Sequence, residues 1–284
     1  MEKNSYKFKE YTSLLIKKKI LEVAKVKKKG HLGGSFSVLD ILVSIFSSKY
    51  FKLAKKDFKL KRNDKVVLSK GHTAIALYGV MEKFKISKYY NLNDFNSKNK
   101  CLLEHPTLTN KNPEISVETG SLGHGLSISS GIALANFKNN KKKTICILGD
   151  GELYEGSNWE ALFFISSKKL NNLLIIIDRN KLLTLGYTED VVRMESLKQK
   201  FKSFNFNVIE INGHSYKNLE NSFKKFSKLN IKSKPLILIC NTIKGKGIIG
   251  MENTPSVHHG LPTEKIFKKS LEKISEQISK YEKI

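Results

Sequence analysis

The sequence predicts an α/β protein with a mainly parallel sheet that is covered by helices on both faces. Apolar runs of strand length alternate along the chain with segments whose apolar residues recur every three or four positions, and this alternation is typical of parallel sheets. Of the 284 residues, 40% are hydrophobic, so the chain can bury a sizeable core. Because no repeat and no linker-like segment divides the chain, we expect a single domain over residues 1–284.

The predicted elements follow in chain order. Apolar positions three and four residues apart predict helices over 10–27, 37–50, 73–83, 122–137, 156–169 and 216–228. Short apolar runs predict strands over 65–68, 144–148, 173–178, 207–211 and 235–242. A polar stretch separates the third helix from residue 118. Ligands of such sheets bind beyond the carboxyl ends of the strands, so the residues that follow each strand are the first candidates for a site.

The charge of the chain is strongly positive, at +25 for 51 Lys and Arg against 26 Asp and Glu. Arginine occurs only at Arg62, Arg179 and Arg193, although base recognition and bidentate phosphate binding favour arginine. The lysines are also spread along the whole chain. We therefore expect no nucleic-acid partner, while the positive field would attract anionic sugar phosphates.

Targeting and redox features predict a cytoplasmic protein. The longest apolar runs, such as 173–177, have the length of a strand, so no membrane association is expected. Residues 1–19 lack the apolar core of a secretory signal. The cysteines are Cys101, Cys146 and Cys240, an odd number without metal-type spacing, and the last two fall in apolar runs that predict core positions.

A carboxylate between two glycines follows the second predicted strand, in Gly149-Asp150-Gly151. A metal, a phosphate or a plain turn would each account for part of this pattern. Asn180 follows the next strand thirty positions later, and adjacent parallel strands would bring both side chains to one edge of the sheet. A carboxylate, an amide oxygen and a nearby carbonyl are ligands that Mg²⁺ prefers. The Gly151-Glu152 turn opens a helix, whose N–H groups suit a phosphate.

Six segments carry further glycine and histidine motifs: GHLGGSFSVLDIL (30–42), LSKGHTAIALY (68–78), EHPT (104–107), ETGSLGHGLSISSGIA (118–133), GDGELYEGSNWEA (149–161) and KGKGIIGMENTPSVHHG (244–260). Together, in this order, they resemble the N-terminal half of transketolase in the form found as a separate subunit. The resemblance covers nearly all of the chain after about residue 20. It implies the thiamine-diphosphate-binding fold, with thiamine diphosphate and Mg²⁺ as cofactors.

The resemblance implies particular ligands. For Mg²⁺ they are Asp150, Asn180 and the backbone carbonyl of Leu182. For the cofactor they are Gly120, Ser121, Leu122 and Gly151, together with Asn180, His72 and His259.

The resemblance also implies catalytic residues. They are His31, His72, His105, His259 and Glu155. His72 and His259 would approach the cofactor, while His31, His105 and His259 would bind the hydroxyls and carbonyl of the substrate and move protons. Glu155 resembles the acid that couples two active sites across a dimer interface. Each of these histidines could instead be an ordinary turn residue, and His258 competes with His259 for the place in the site.

Two other histidines have structural interpretations. His124 stands where related chains often carry Gln, and we assign it to loop packing. His214, in NGHSY, is expected in a turn before a helix.

The implied activity is the transfer of a two-carbon ketol unit from a ketose phosphate to an aldose phosphate, as in the pentose phosphate pathway. No second α/β block follows in this sequence. The pyrimidine-binding domain and the activating glutamate are therefore expected from a C-terminal transketolase subunit, with two copies of each chain. Two alternatives stay open. One is another thiamine-diphosphate activity, such as deoxyxylulose-phosphate synthesis or a 2-oxo-acid dehydrogenase component, and the other is a non-catalytic basic binding protein.

Overall fold

The computed structural model describes residues 5–53, 63–109, 114–137, 142–230, 232–254 and 261–282. Its helices are α1 (Tyr6–Lys27), α2 (Leu32–Ser47), α3 (Ala74–Lys83), α4 (His124–Phe137), α5 (Gly156–Ser167), α6 (Thr188–Val191), α7 (Leu197–Ser203), α8 (Tyr216–Ser227) and α9 (Glu264–Glu282). Its strands are β1 (Lys65–Leu68), β2 (Thr144–Gly149), β3 (Leu173–Arg179), β4 (Asn207–Asn212) and β5 (Leu236–Asn241).

The five strands form one parallel sheet in the order β1-β2-β3-β5-β4, which confirms the predicted fold class. Strands β2 and β3 lie side by side near the centre and are buried along their whole length. Gly149, the last residue of β2, is paired with Asp178 of β3. The residues that follow these two strands therefore meet at the same edge of the sheet.

Two helical layers cover the sheet. Helices α1, α2, α3, α8 and α9 pack on one face and form the thick layer, while α4, α5 and α7 pack on the other and form the thin layer. Because side chains of a strand alternate between faces, Ile145 and Ile147 of β2 contact the thick layer, whereas Cys146 and Leu148 contact the thin one. The hydrophobic core thus has two parts, one on each side of the strands.

The five predicted strands all exist, and each boundary agrees within one residue. Helix α2 begins five residues earlier than predicted, at Leu32, and so includes the glycine-rich segment that precedes residue 37. Helix α9 was not predicted, although Phe267, Ile274 and Ile278 recur on one face and are buried there. No helix in the described part of the chain is long and apolar enough to cross a membrane. The single-domain organisation stays a prediction.

Candidate functional site

Asp150 lies at the carboxyl end of β2 and is almost completely buried. Its Oδ1 accepts a hydrogen bond from the N–H of Gly151 at 2.9 Å, and its Oδ2 accepts one from the N–H of Lys181 at 2.6 Å. The guanidinium of Arg179 lies 3.0 Å from the same Oδ2. Burial raises the pKa of Asp150, and the charge of Arg179 opposes that shift. Asp150 therefore links the end of β2 to the end of β3 through its hydrogen bonds with Arg179 and Lys181.

Asn180 follows β3 on the neighbouring strand, as predicted. Its side-chain oxygen accepts a hydrogen bond from the N–H of Leu182 at 3.1 Å, and its amide nitrogen lies 3.5 Å from the hydroxyl of Ser37 in α2. The carbonyl of Leu182 accepts a hydrogen bond from Nζ of Lys244 at 3.0 Å. All three predicted metal ligands thus lie together at one edge of the sheet.

A cavity of about 270 Å³ opens at this edge. Its lining includes the predicted residues His31, His72, Gly120, Leu122, Asp150, Gly151, Asn180 and Leu182, and also Gly34, Lys70, Gly149, Glu152, Leu183, Thr184 and Lys244. A Cβ on Gly151 would lie 2.1 Å from Cδ2 of Leu183, so the end of the Leu183 side chain would have to shift to accommodate a larger residue there.

Three of the predicted histidines form a group at the cavity. The ring centroids of His31 and His72 are 5.5 Å apart, and those of His31 and His105 are 6.3 Å apart. A Cβ on Gly120 would lie 3.4 Å from the ring of His105, so the loop that begins at Gly120 passes close to that ring. His258 and His259 lie outside the described residues.

Three of the described predicted residues, His105, Ser121 and Glu155, lie outside the cavity lining. Ser121 is exposed and follows Gly120 in the same loop. Glu155 is also exposed and is the residue that precedes α5. A Cβ on Gly123 would lie 2.6 Å from Cβ of Glu155, so Glu155 packs against the glycine loop and is separated from Asp150 by one turn of 3₁₀-helix over Gly151–Tyr154. The exposure of Glu155 leaves its carboxylate available to a neighbouring chain.

Two buried lysines at the cavity were not identified from the sequence. Lys70 is 2% exposed and forms an ion pair with Asp178, which is fully buried in β3. Lys244 is also 2% exposed, and its Nζ donates to the carbonyls of Leu182 and Leu183. Burial and the nearby charge of Lys70 lower the pKa of Lys244 to about 8. The sequence feature that could have identified them is that each lysine stands next to a glycine, in SKGH and KGKG.

Glu152 also proved to be part of the site, although its sequence position indicated only a favourable charge at a helix start. It is 1% exposed and accepts hydrogen bonds from the hydroxyl of Ser69 and from the N–H groups of Gly123 and Gly149. Burial raises the pKa of its carboxyl group, and these hydrogen bonds oppose the shift. Glu152 therefore fixes the glycine loop against the ends of β1 and β2.

The residues present fit a magnesium ion with a diphosphate. Among the residues that the structure describes, no three His, Cys, Asp or Glu side chains converge on one point. A site built from one carboxylate, one amide oxygen, one carbonyl and phosphate oxygens needs no such cluster. A carboxylate offers about four acceptor positions, and Asp150 uses three of them here. The ammonium groups of Lys70 and Lys244 would offset the negative charge of a diphosphate.

A parallel sheet with a cavity of glycines and buried lysines at the carboxyl ends of its central strands is typical of α/β proteins that bind phosphorylated ligands. A comparison with protein families narrows this class, because the profile described as "Transketolase, thiamine diphosphate binding domain" matches residues 13–271. The chain belongs to this family. The resemblance inferred from its six motifs is thereby confirmed.

Similar curated proteins include both short and long chains. An apulose-4-phosphate transketolase subunit from Phocaeicola vulgatus is 38% identical over 271 residues, which cover 94% of either chain. The 6-deoxy-6-sulfo-D-fructose transketolase subunit SqwG of a Clostridium species is 32% identical, over 87% of this chain and 89% of its own length. Human transketolase is 33% identical, over 90% of this chain but 40% of its own length.

Solved structures agree on the fold. The crystal structure of transketolase from Campylobacter jejuni has a TM-score of 0.84 and 25% identity, over 95% of this chain and 43% of that chain. Transketolase from Leishmania mexicana has a TM-score of 0.79 and 21% identity, over 97% of this chain and 46% of its own. This chain therefore spans less than half the length of the solved transketolases that it matches.

Proposed function

We propose that this chain is the diphosphate-binding subunit of a split transketolase, which transfers a two-carbon ketol unit from a ketose phosphate to an aldose phosphate. The observation that carries the proposal is the convergence of Asp150, Asn180, two buried lysines and a histidine group on one cavity at the ends of β2 and β3. The split arrangement is supported by the sequence similarity of this chain to transketolase subunits of similar length.

The metal and the diphosphate would be held at the edge of the sheet. Asp150, Asn180 and the carbonyl of Leu182 supply the oxygen ligands for Mg²⁺. Gly120, Ser121, Leu122 and Gly151 supply backbone contacts to the cofactor, with Lys70 and Lys244 as buried positive charges next to the phosphates. Preorganised charges in a buried site act more strongly than they would in water.

The histidines would bind the sugar and move its protons. Thiamine diphosphate supplies the group that accepts the electron pair when the carbon–carbon bond of the ketose is cleaved. His31, His72 and His105 form one group of rings and would donate hydrogen bonds to hydroxyls and a carbonyl of the substrate, since imidazole is a common general acid and base. We assign His259 to the same role.

The activating glutamate and the pyrimidine-binding domain would come from a partner chain. Two curated relatives are named as single subunits of a transketolase, and these relatives and this chain have similar lengths. We expect the partner to be an α/β chain of roughly 300 residues encoded in a neighbouring reading frame. We propose the cytoplasm as the location, since the three cysteines are buried and form no disulfide. Neither nucleic acid nor a membrane is among the proposed partners.

We propose an assembly with two copies of each chain. Glu155 is exposed at the start of α5, and Phe163 of the same helix is 66% exposed. Exposed apolar side chains that are rimmed by polar residues are typical of a contact between chains. In such an assembly Glu155 would share protons with acids of the neighbouring active site. We expect Glu155→Gln to reduce turnover or the equivalence of the two sites while Mg²⁺ affinity stays unchanged, and equal turnover in the variant would contradict this role.

Two sugar phosphates are candidates for the donor substrate. The first is a ketose phosphate of the pentose phosphate pathway, such as xylulose 5-phosphate. The second is apulose 4-phosphate, which is favoured by the 38% identity to a transketolase chain named for that substrate. Both donors carry the anionic end that the positive charge of the chain would attract.

Reconstitution tests the proposal. The purified chain, its purified partner and the mixture of the two are assayed with thiamine diphosphate, Mg²⁺ and either donor, with pyruvate as the donor for other thiamine-diphosphate activities. We expect ketol transfer from the mixture alone. Robust transfer by this chain without a partner would contradict the split arrangement, and turnover only with pyruvate would favour the alternative enzymes. Salt-sensitive duplex binding without affinity for thiamine diphosphate would favour a basic binding protein.

A further inference from the structure

Asp40 is a buried carboxylate in the middle of α2, outside the cavity lining. It is 6% exposed and accepts hydrogen bonds from Ser13 at 2.5 Å and from Tyr216 at 2.9 Å, with Nζ of Lys17 at 3.7 Å. Burial opposes ionisation, but the charge of Lys17 and the hydrogen bonds from His214 and Ser13 outweigh it and hold the pKa of Asp40 well below its ordinary value. Asp40 is therefore ionised and acts only as an acceptor.

His214 connects this carboxylate to the end of β5. Its Nδ1 lies 2.7 Å from Oδ2 of Asp40, and its Nε2 lies 2.9 Å from the backbone nitrogen of Ile243. A backbone N–H can only donate, so Nε2 is the acceptor, and the ring proton is on Nδ1 and points to Asp40. Both ring nitrogens are thus used, and the ring orientation is fixed from two sides.

Ile243 belongs to the 242–247 loop, which contributes Lys244 to the lining of the cavity. Thr242 donates a hydrogen bond to Asp178, and the N–H of Gly245 donates to the carbonyl of Gly33 at 2.9 Å. Lys244, the residue after Ile243, lines the cavity and reaches the carbonyls of Leu182 and Leu183. The hydrogen bond from Ile243 to His214 therefore fixes the peptide next to the residue that carries the buried charge.

We propose that His214 is a positioning residue for cofactor binding. Asp40 holds the ring of His214, and the ring fixes the 242–247 loop. The loop in turn places the ammonium group of Lys244 at the diphosphate. The proposal rests on the proposed function in one respect, since it takes the cavity to be a diphosphate site. Neither Asp40 nor His214 lines the cavity, so in this proposal they act through the loop.

Two substitutions separate the two hydrogen bonds of His214. In His214→Gln, the side-chain oxygen can take the place of Nε2 and accept from the N–H of Ile243. In His214→Asn, the shorter amide can donate to Asp40 but does not reach Ile243. Tyr216→Phe is the matched control, because it removes another hydrogen bond of Asp40 and leaves the loop unchanged.

The experiment measures the affinity of the full chain for thiamine diphosphate in excess Mg²⁺ by titration calorimetry. We expect His214→Asn to weaken binding about tenfold, as the loss of a well-placed charged contact would. His214→Gln and Tyr216→Phe are expected to stay within about threefold of the wild type. Each variant is checked by circular dichroism, and if His214→Asn does not fold, His214→Phe replaces it, since it keeps a ring and removes both hydrogen bonds.

A double-mutant cycle distinguishes positioning from a general loss of structure. If His214 acts through Lys244, then His214→Asn causes no further loss of affinity in a Lys244→Met background. An undiminished loss in that background, or wild-type affinity of His214→Asn, would overturn the proposal. Failure of the wild-type chain to bind thiamine diphosphate both alone and together with its partner would count against the proposed function itself.

Discussion

The two layers that cover the sheet differ in how they meet solvent. In the thick layer, α9 buries Phe267, Ile274 and Ile278 and turns Lys and Glu residues outward, as an amphipathic surface helix does. In the thin layer, α4 and α5 are apolar on their outer sides as well, so that Ile128 is 43% exposed and Phe163 is 66% exposed. Both layers bury the same strands, but the outer side of α9 is polar, whereas α4 and α5 expose apolar side chains.

The interiors of the layers differ too. The thick layer contains buried charges in contact with its helices, including Lys9 with Glu220 and Asp40 with Lys17. Ser37 of α2 also donates to Asp178, the partner of Lys70 at the cavity. The thin layer is held mainly by apolar packing of α4, α5 and α7 on the strands. We infer that the thick layer and the charges beneath it fix the site, whereas the thin layer offers the surface for assembly.

The largest expected effect on stability is that of Asp178→Ala. This change leaves the ammonium group of Lys70 buried without its carboxylate, so we expect the free energy of unfolding to fall by about 3–5 kcal/mol. Urea unfolding of the full chain measures it. Lys246→Ala is the control, because the pair of Lys246 and Glu252 is exposed and 3.9 Å apart, and we expect less than about 1 kcal/mol there. If the two variants lost the same free energy of unfolding, the buried ion pair would contribute no more to stability than the exposed one, and the prediction would be wrong.

The same substitution, made once in each layer, measures how differently the two layers pack. Ile274 of α9 is 1% exposed, so Ile274→Ala should lower the free energy of unfolding by about 2–5 kcal/mol. Ile128→Ala, on the outer side of α4, should lower it by less than about 1 kcal/mol in the chain without its partner. Thermal or urea unfolding checks both values. Similar losses in both variants would mean that the outer side of α4 is already packed within this chain.

Phe163→Glu is expected to change stability least and assembly most. Because Phe163 is largely exposed, we expect the free energy of unfolding to stay within about 0.5 kcal/mol of the wild type. A charge in an apolar contact should nevertheless weaken assembly at least about tenfold, as measured by sedimentation of the reconstituted complex. Val26→Glu on α1, at a position that is 77% exposed, is the matched control. Unchanged sedimentation of Phe163→Glu would place the contact surface elsewhere.

The sequence was sufficient to predict what depends on local pattern. The strands were recognisable as apolar runs, and the meeting of Asp150 and Asn180 at one edge followed from their positions after neighbouring strands, as the pairing of Gly149 with Asp178 bears out. The contacts of Lys70 and Lys244 could not be predicted in this way. Their burial arises only when the end of β1, the loop after β3 and the loop after β5 converge, which no periodicity along the chain records.

The distinction between the layers could have been found in part from the sequence. The spacing of Phe267, Ile274 and Ile278 was available and indicated an amphipathic α9. The helix that contains Phe163 has apolar residues on all sides, and such a pattern does not tell a buried helix from one that is covered by another chain. Only the solvent exposure in the folded chain separates the two possibilities.

The assignment of a metal and diphosphate site to the ends of β2 and β3 is tested by the affinity of the full chain for thiamine diphosphate. Titration calorimetry compares the wild type with Asp150→Ala, each with and without Mg²⁺. We predict binding that requires Mg²⁺ and that is lost in the variant, with the fold largely intact by circular dichroism, because the diphosphate charge is poorly offset without the metal. Equal affinity in Asp150→Ala, or binding that is indifferent to removal of Mg²⁺ by a chelator, would contradict this assignment.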